Sequence, residues 1–286
     1  YVQRTVDTLL DAVQANGKMD AIRDFAYPLP IFVITQMLGL PTEERAQFKK
    51  WSDDLFAILG SVPHSPELME GAARSLNALT DYITQLSEAR RKHPQEDLLT
   101  ALVEATENGE QLTQEELVAN MIILLSAGHE TTINLIGNGL LALLQNPDQL
   151  QKLRAQPNLV ASAVEEMMRY DNPVQIAYRS AAEDVEIGGK HIRKGQLVNS
   201  VLAAGNRDPE RFSDPDRFDI TRDEGRHLGF GLGIHFCLGA PLVRLEAQTA
   251  FTAILHRFPE LSLAAENLEW QEHPIFRGVK SLPVEF

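Results

Sequence analysis

Cysteine is almost absent: among 286 residues there is one, Cys237. An internal disulfide is therefore excluded, as expected of a protein kept in a reducing cytoplasm. Basic residues are in deficit, with 26 Lys and Arg against 40 Asp and Glu, and the net charge of −14 argues against nucleic acid or an anionic membrane as partner. No apolar run reaches the roughly 18 residues of a membrane span. The opening YVQRTVDTLLDAV is amphipathic and carries Asp7 and Asp11, so it reads as neither signal peptide nor anchor. It starts in mid-helix without Met, and the expectation is that upstream sequence is missing. Repeats, low-complexity segments and an obvious linker are lacking too, so a single domain over 1–286 is expected.

What remains is an ordinary globular composition, 44% hydrophobic and 23% charged, able to bury a sizeable core. Residues 1–172 read as helices. Leu9, Leu10 and Val13 mark one apolar face, Gly39 stops a helix over DFAYPLPIFVITQML, and Pro94 stops a long amphipathic one. QEDLLTALVEAT is expected to end at Asn108-Gly109. A Thr113–Glu116 capping box opens a run that continues to Pro147. Read as one helix, that run would be about 45–50 Å long and apolar nearly all round in its middle, so it should cross the centre of the protein. After residue 173 the texture changes to short strands with turns at Gly188-Gly189 and Lys194-Gly195, a loop-rich stretch, a final helix over APLVRLEAQTAFTAILHRF and a tail, FRGVKSLPVEF, that looks like a hairpin. The fold class is thus mainly α with small β-sheets, helical over 1–172 and β- and loop-rich over 173–286.

Two stretches carry chemistry. MIILLSAGHETTIN puts Gly128, His129, Glu130, Thr131 and Thr132 into an apolar run, where a carboxylate is costly unless it has a partner or a task. A zinc-protease helix is excluded, because Ile133 stands where the second His is needed. A mid-helix Thr bonds a carbonyl one turn back and bends the helix, and Gly128 weakens the same point, so a kink or widened turn is expected. The second stretch is FGLGIHFCLGAPLVRLE. Its glycines make a tight loop, and Cys237 falls just before a helix whose N-terminal amides favour a thiolate. A lone Cys is most often a small buried hydrophobe. In this context it makes a good single metal ligand, with a haem macrocycle supplying the others.

Phe230-Gly231-x-Gly233-x-His235-x-Cys237-Leu238-Gly239 resembles the haem-binding loop of the cytochromes P450. Ala127-Gly128-His129-Glu130-Thr131-Thr132 resembles the family's oxygen-activation segment, Glu166-Met167-Met168-Arg169 its Glu-x-x-Arg, and Pro215-Asp216-Arg217-Phe218 the loop segment completing that charge cluster. The resemblance implies haem b with Cys237 as axial thiolate. It places Ala127, Phe230, Gly231, Gly239, His235 and Arg179 at the haem, the last two at its propionates. Glu166, Arg169 and Arg217 would form a buried structural cluster, although spacing alone favours a surface ion pair between Glu166 and Arg169. Glu130 would relay protons and Thr131 would be the alcohol at the oxygen groove. Ile123, Leu124, Val174, Gln175, Ile176, Ala177, Ile275 and Phe276 would line the substrate space. Ordinary core packing explains each of these singly about as well. His227 reads as a loop cap. Arg244 reads either as a solvated helix charge or as a docking point for an acidic ferredoxin.

The function implied is a haem-thiolate monooxygenase that inserts one oxygen atom from dioxygen into a small, largely apolar organic substrate. Its electrons would come from a separate ferredoxin- or flavodoxin-type donor. The family's N-terminal sheet and early helices are not found in this sequence, so the expectation is either that the chain is part of a longer enzyme or that it is truncated, in which case one flank of the haem would lie open. The alternative is a truncated relative with impaired or no haem binding that serves as a ligand binder or scaffold. A peroxide-driven variant is disfavoured by the Glu130-Thr131 pair.

Overall fold

The computed structural model describes residues 1–60, 65–107 and 110–286. Helix α1 (Val2–Gln14) turns Val2, Val6, Leu10 and Val13 inward. After β1 (Lys18–Asp20), the Asp20 carboxylate accepts the Ile22 and Arg23 amides and starts a wide helical turn over Ala21–Ala26. Helix α2 (Pro28–Leu38) has Pro in its first turn and ends on left-handed Gly39. Helix α3 (Arg45–Gly60) and α4 (Pro66–Lys92), capped by Ser65, lie side by side. Asp97 caps α5 (Leu98–Glu104), and a ribbon of β2 (Thr106–Glu107) and β3 (Glu110–Gln111) follows. The helix stop expected at Asn108-Gly109 lies outside the described residues.

The run from Thr113 to Pro147 is two helices, not one. Helix α6 (Gln114–Ala127) opens with the Thr113–Glu116 capping box, and two residues, Gly128 and His129, separate it from α7 (Glu130–Gln145). His129, at φ −127° and ψ −54°, breaks the ladder. Side chains take over at the break: the Leu125 carbonyl accepts from His129 Nδ1 at 3.1 Å, and the Ala127 carbonyl accepts from Thr131 Oγ1 at 3.3 Å. Gly128 is required by close approach. A Cβ there would stand 2.7 Å from the Leu124 carbonyl and 2.8 Å from Ile34.

Helices α8 (Pro147–Ala155) and α9 (Val160–Tyr170) lead to the small sheets. Strand β4 (Ile176–Ser180) pairs antiparallel with β7 (Leu197–Val201), and β5 (Val185–Ile187) pairs with β6 (Lys190–Ile192) around Gly188-Gly189. A short α10 (Leu202–Gly205), a long loop and α11 (Ala240–Arg257) follow. The tail does not fold on itself as a hairpin. Strand β9 (Pro283–Glu285) lies between β1 and β8 (Ser262–Leu263), with Val284 opposite both Met19 and Leu263, while Trp270 bridges Val279. Its partners on both edges come from distant sequence.

The larger apolar core gathers α1, α7, α9, α11 and β9, including Leu10, Leu140, Met167, Phe251 and Val284. A second core joins the end of α2 to α3, α4, α5 and α6 through Leu38, Phe48, Leu79, Leu99 and Met121. The α6–α7 break is the seam between them. Among the described residues no helix is long and apolar enough to cross a membrane.

Candidate active site

The loop before α11 is fixed atom by atom. Left-handed Gly231 and Gly233 turn it sharply. The Gly231 amide donates to the Leu228 carbonyl and the Cys237 amide to the Phe230 carbonyl, both at 2.9 Å. Phe230 is buried and covered by the Arg244 guanidinium, 4.5 Å from its ring centre. His227 pins the loop's start. Its Nδ1 accepts from the Gly229 amide at 2.9 Å, which leaves the proton on Nε2 to donate to Glu165, 3.1 Å away. Arg244 clasps the same carboxylate through two bonds of 2.6 and 2.8 Å. Burial raises the Glu165 pKa, but Arg244 and His227 more than offset this and hold it at about 2. Arg244 is thus committed to Glu165 rather than being a solvated helix charge.

Beneath the loop lies an ion-pair cluster. Arg169 and Glu166 form a two-pronged pair at 2.7 and 2.9 Å, and both are buried. Arg169 also donates to the carbonyls of Asn206 and Pro215 at 2.8 Å and of Arg217 at 3.1 Å. The third charged member is Arg222, whose Nε lies 3.3 Å from Glu166. Here the expectation for Arg217 needs correcting. Its carbonyl joins the network, but its guanidinium is more than half exposed and, among the described residues, its one ion pair is with Asp219 at 3.9 Å. Arg222 wins the place because a turn closed by its amide on the Asp219 carbonyl folds it back over Glu166. The Pro215–Phe218 motif drew attention to the wrong arginine, and no local sequence signal marks Arg222.

Side chains around Cys237 point into open space. Ile234 is 97% exposed and Leu238 84%, with Leu232 and Phe236 exposed beside them. Cys237 is half-buried and packs against the larger core. On α6, Ile123 and Ala127 are exposed one turn apart on the same face, and Thr131, past the break, bonds the Ala127 carbonyl. So much uncovered apolar surface around a single thiol fits a flat apolar macrocycle ligated by sulfur. His235 is exposed on the loop. Arg179 is exposed on β4, where its Nη1 donates to the Tyr178 carbonyl. Gly239 passes close to the thiol, its Cβ position 3.8 Å from Cys237 Sγ.

Glu130 stands at the start of α7, mostly buried. Gln271 donates to it at 3.3 Å, and the Lys49 ammonium lies 4.0 Å away. Of the substrate-space candidates, Ile275 and Phe276 are buried, and Phe276 bridges Val174. Leu124, Gln175, Ile176 and Ala177 are half-buried. Leu124 packs against the second core, and the Gln175 amide donates to the Ile275 carbonyl at 2.7 Å. Phe276 and His129 both meet the ring of Phe56 edge-on. The sequence reading missed this aromatic contact from α3, because pairing across helices leaves no local pattern.

Comparison with known proteins gives a consistent answer. The family described as cytochrome P450 matches residues 42–273. The biotin biosynthesis cytochrome P450 of Bacillus subtilis is 46% identical over 288 residues, covering 100% of this chain and 72% of that protein. The cytochrome P450 monooxygenase PikC of Streptomyces venezuelae is 47% identical, covering 100% of this chain and 68% of that one. The crystal structure of P450BioI, in complex with an acyl carrier protein ligated to hexadec-9Z-enoic acid, superposes with a TM-score of 0.95 at 44% identity over 100% of this chain and 73% of that chain. The chain therefore belongs to the cytochrome P450 family, oxidoreductases that bind haem b through a cysteine thiolate.

Proposed function

We propose that this chain is a haem-thiolate monooxygenase that inserts one oxygen atom from dioxygen into a small, largely apolar organic substrate, in the cytoplasm and with electrons from a separate ferredoxin- or flavodoxin-type protein. The observation that carries the reading is Cys237. It is the one cysteine, held by the Phe230 carbonyl in a rigid glycine loop ringed with uncovered apolar side chains.

When bound, the haem supplies the binding and reduction of dioxygen. The chain's own residues do the rest. Cys237 would ligate the haem iron through its sulfur from its place just before α11. Phe230, Gly231 and Gly239 shape the loop around it, and the exposed His235 and Arg179 would meet the haem propionates. The buried pair Glu166–Arg169, closed by Arg222, holds the carbonyls of residues 206, 215 and 217 and so keeps the loop's stem in place. At the α6–α7 break, Thr131 holds its hydroxyl on the Ala127 carbonyl. Glu130, between Gln271 and Lys49, takes a proton at a carboxylate oxygen and passes it inward. Ile123 and Ala127 on α6, with Ile275 and Phe276 in the tail, give the substrate apolar walls.

The test is turnover under isotope-labelled dioxygen with a reductase–ferredoxin pair. One labelled oxygen atom per product is expected, and Thr131→Ala should still consume electrons while making much less product. Product without label, or a Thr131→Ala variant that turns over normally, would contradict the assignment.

A further inference from the structure

His129 is the least satisfied polar group at the α6–α7 break. It is 1% exposed, and its Nδ1 faces the Leu125 carbonyl, which can only accept. Nδ1 therefore carries the proton, and in the neutral ring Nε2 presents a bare lone pair. Among the described residues, that Nε2 has no hydrogen-bond partner. Asp53 Oδ1 of α3 lies 3.9 Å away, and the ligand atoms of Asp53, His129 and Glu130 all fall within 4.8 Å of one another. A lone pair pointed at two carboxylates is repulsive unless a proton or a metal cation stands between them. Lys49 answers part of that demand. Its ammonium bonds Asp53 and lies 4.0 Å from Glu130, seated over the Tyr27 ring. It leaves His129 Nε2 unmatched.

We propose that Asp53, His129 and Glu130 form a binding site for a divalent first-row transition-metal ion, with zinc the probe of choice. One imidazole and two carboxylates are a ligand set that zinc accepts, with water in the fourth position. An imidazole whose other nitrogen donates to a backbone carbonyl is already in the ligating tautomer and orientation. The geometry is close. Bonds of about 2.0–2.2 Å in a tetrahedron put ligand atoms roughly 3.3–3.6 Å apart. The cluster therefore contracts by about an ångström, through two carboxylates that are only partly buried. The site is unrelated to the zinc-protease spacing that the sequence excludes, because its third ligand comes from a different helix. Zinc here ties α3 to the helix break and takes Glu130 out of proton transfer. That consequence rests on the proton role proposed above, whereas the binding does not.

Zinc titration of the purified protein by calorimetry tests the site without any turnover. One zinc per chain is expected. Asp53→Asn and His129→Gln should each weaken binding at least tenfold. Lys49→Met should tighten it, because the competing ammonium is gone, and Asp54→Asn, one residue away and paired to Lys50, should bind as the parent does. Asp53 is half exposed, so its variant tests the site even where His129→Gln fails to fold. Zinc binding that survives Asp53→Asn undiminished would overturn the proposal. So would no binding even in Lys49→Met, or weaker binding in that variant.

Discussion

Arg222 and Arg217 lie five residues apart, and the structure gives them opposite weights. Arg222 is 9% exposed and shares Glu166 with Arg169, so Arg222→Met leaves a buried carboxylate one partner short. That variant should lose roughly 3 kcal/mol in urea denaturation, and Arg217→Ala less than about 0.5, because its pairing is exposed. The reverse order would contradict the corrected cluster. A second residue-scale case is Glu246 on α11. It is fully buried, with neither carboxylate oxygen partnered among the described residues, and burial pushes its pKa up to about 8. Between the ordinary carboxylate value and about 8, the folded chain keeps a proton that the unfolded chain has released. Stability therefore falls as pH rises through that window, by at most about 1.4 kcal/mol per unit, and levels off above it. Thermal melts at about pH 5 and pH 8 should show a steeper loss for the parent than for Glu246→Gln, with the variant the more stable at pH 8. Parallel slopes would show that Glu246 is ionised or solvated in the fold.

At the scale of elements, the α6–α7 break is where local pattern and tertiary structure part company. The sequence held the signals for a kink, Gly128 and two Thr residues, and the break falls there. It did not hold the size of the break, because His129 leaves the ladder beside residues of α3, meeting the Phe56 ring and lying 3.9 Å from Asp53, far away in sequence. Nor could a tail strand be paired from local pattern when its neighbours are β1 and β8. One capped start and one glycine stop were legible, since capping is chemistry within four residues: Thr113 and Gly39 stand where the sequence placed them. The break makes its own prediction. In Gly128→Ala the new methyl meets the Leu124 carbonyl and Ile34, and the helix junction must shift. A loss of about 1–3 kcal/mol in chemical denaturation is expected. A gain, as for an ordinary exposed helix glycine, would mean that the junction relaxes freely.

Across the whole molecule, the two apolar cores meet at the seam that carries Glu130 and Thr131, while the glycine loop with Cys237 is braced by α9 and α11. The motifs over 127–239 made the family legible because their chemistry is local. The bracing residues Arg222, Glu165 and Phe56 were not, since each acts across elements. The central claim is that Cys237 ligates haem as a thiolate. The most direct measurement is the absorbance spectrum of the haem-loaded protein after reduction under carbon monoxide. A Soret band at the long-wavelength position given by a thiolate opposite the carbonyl is predicted for the parent, and its loss for Cys237→Ala. A parent protein that takes up no haem, or whose carbonyl spectrum has the short-wavelength band of a neutral ligand, would contradict the account.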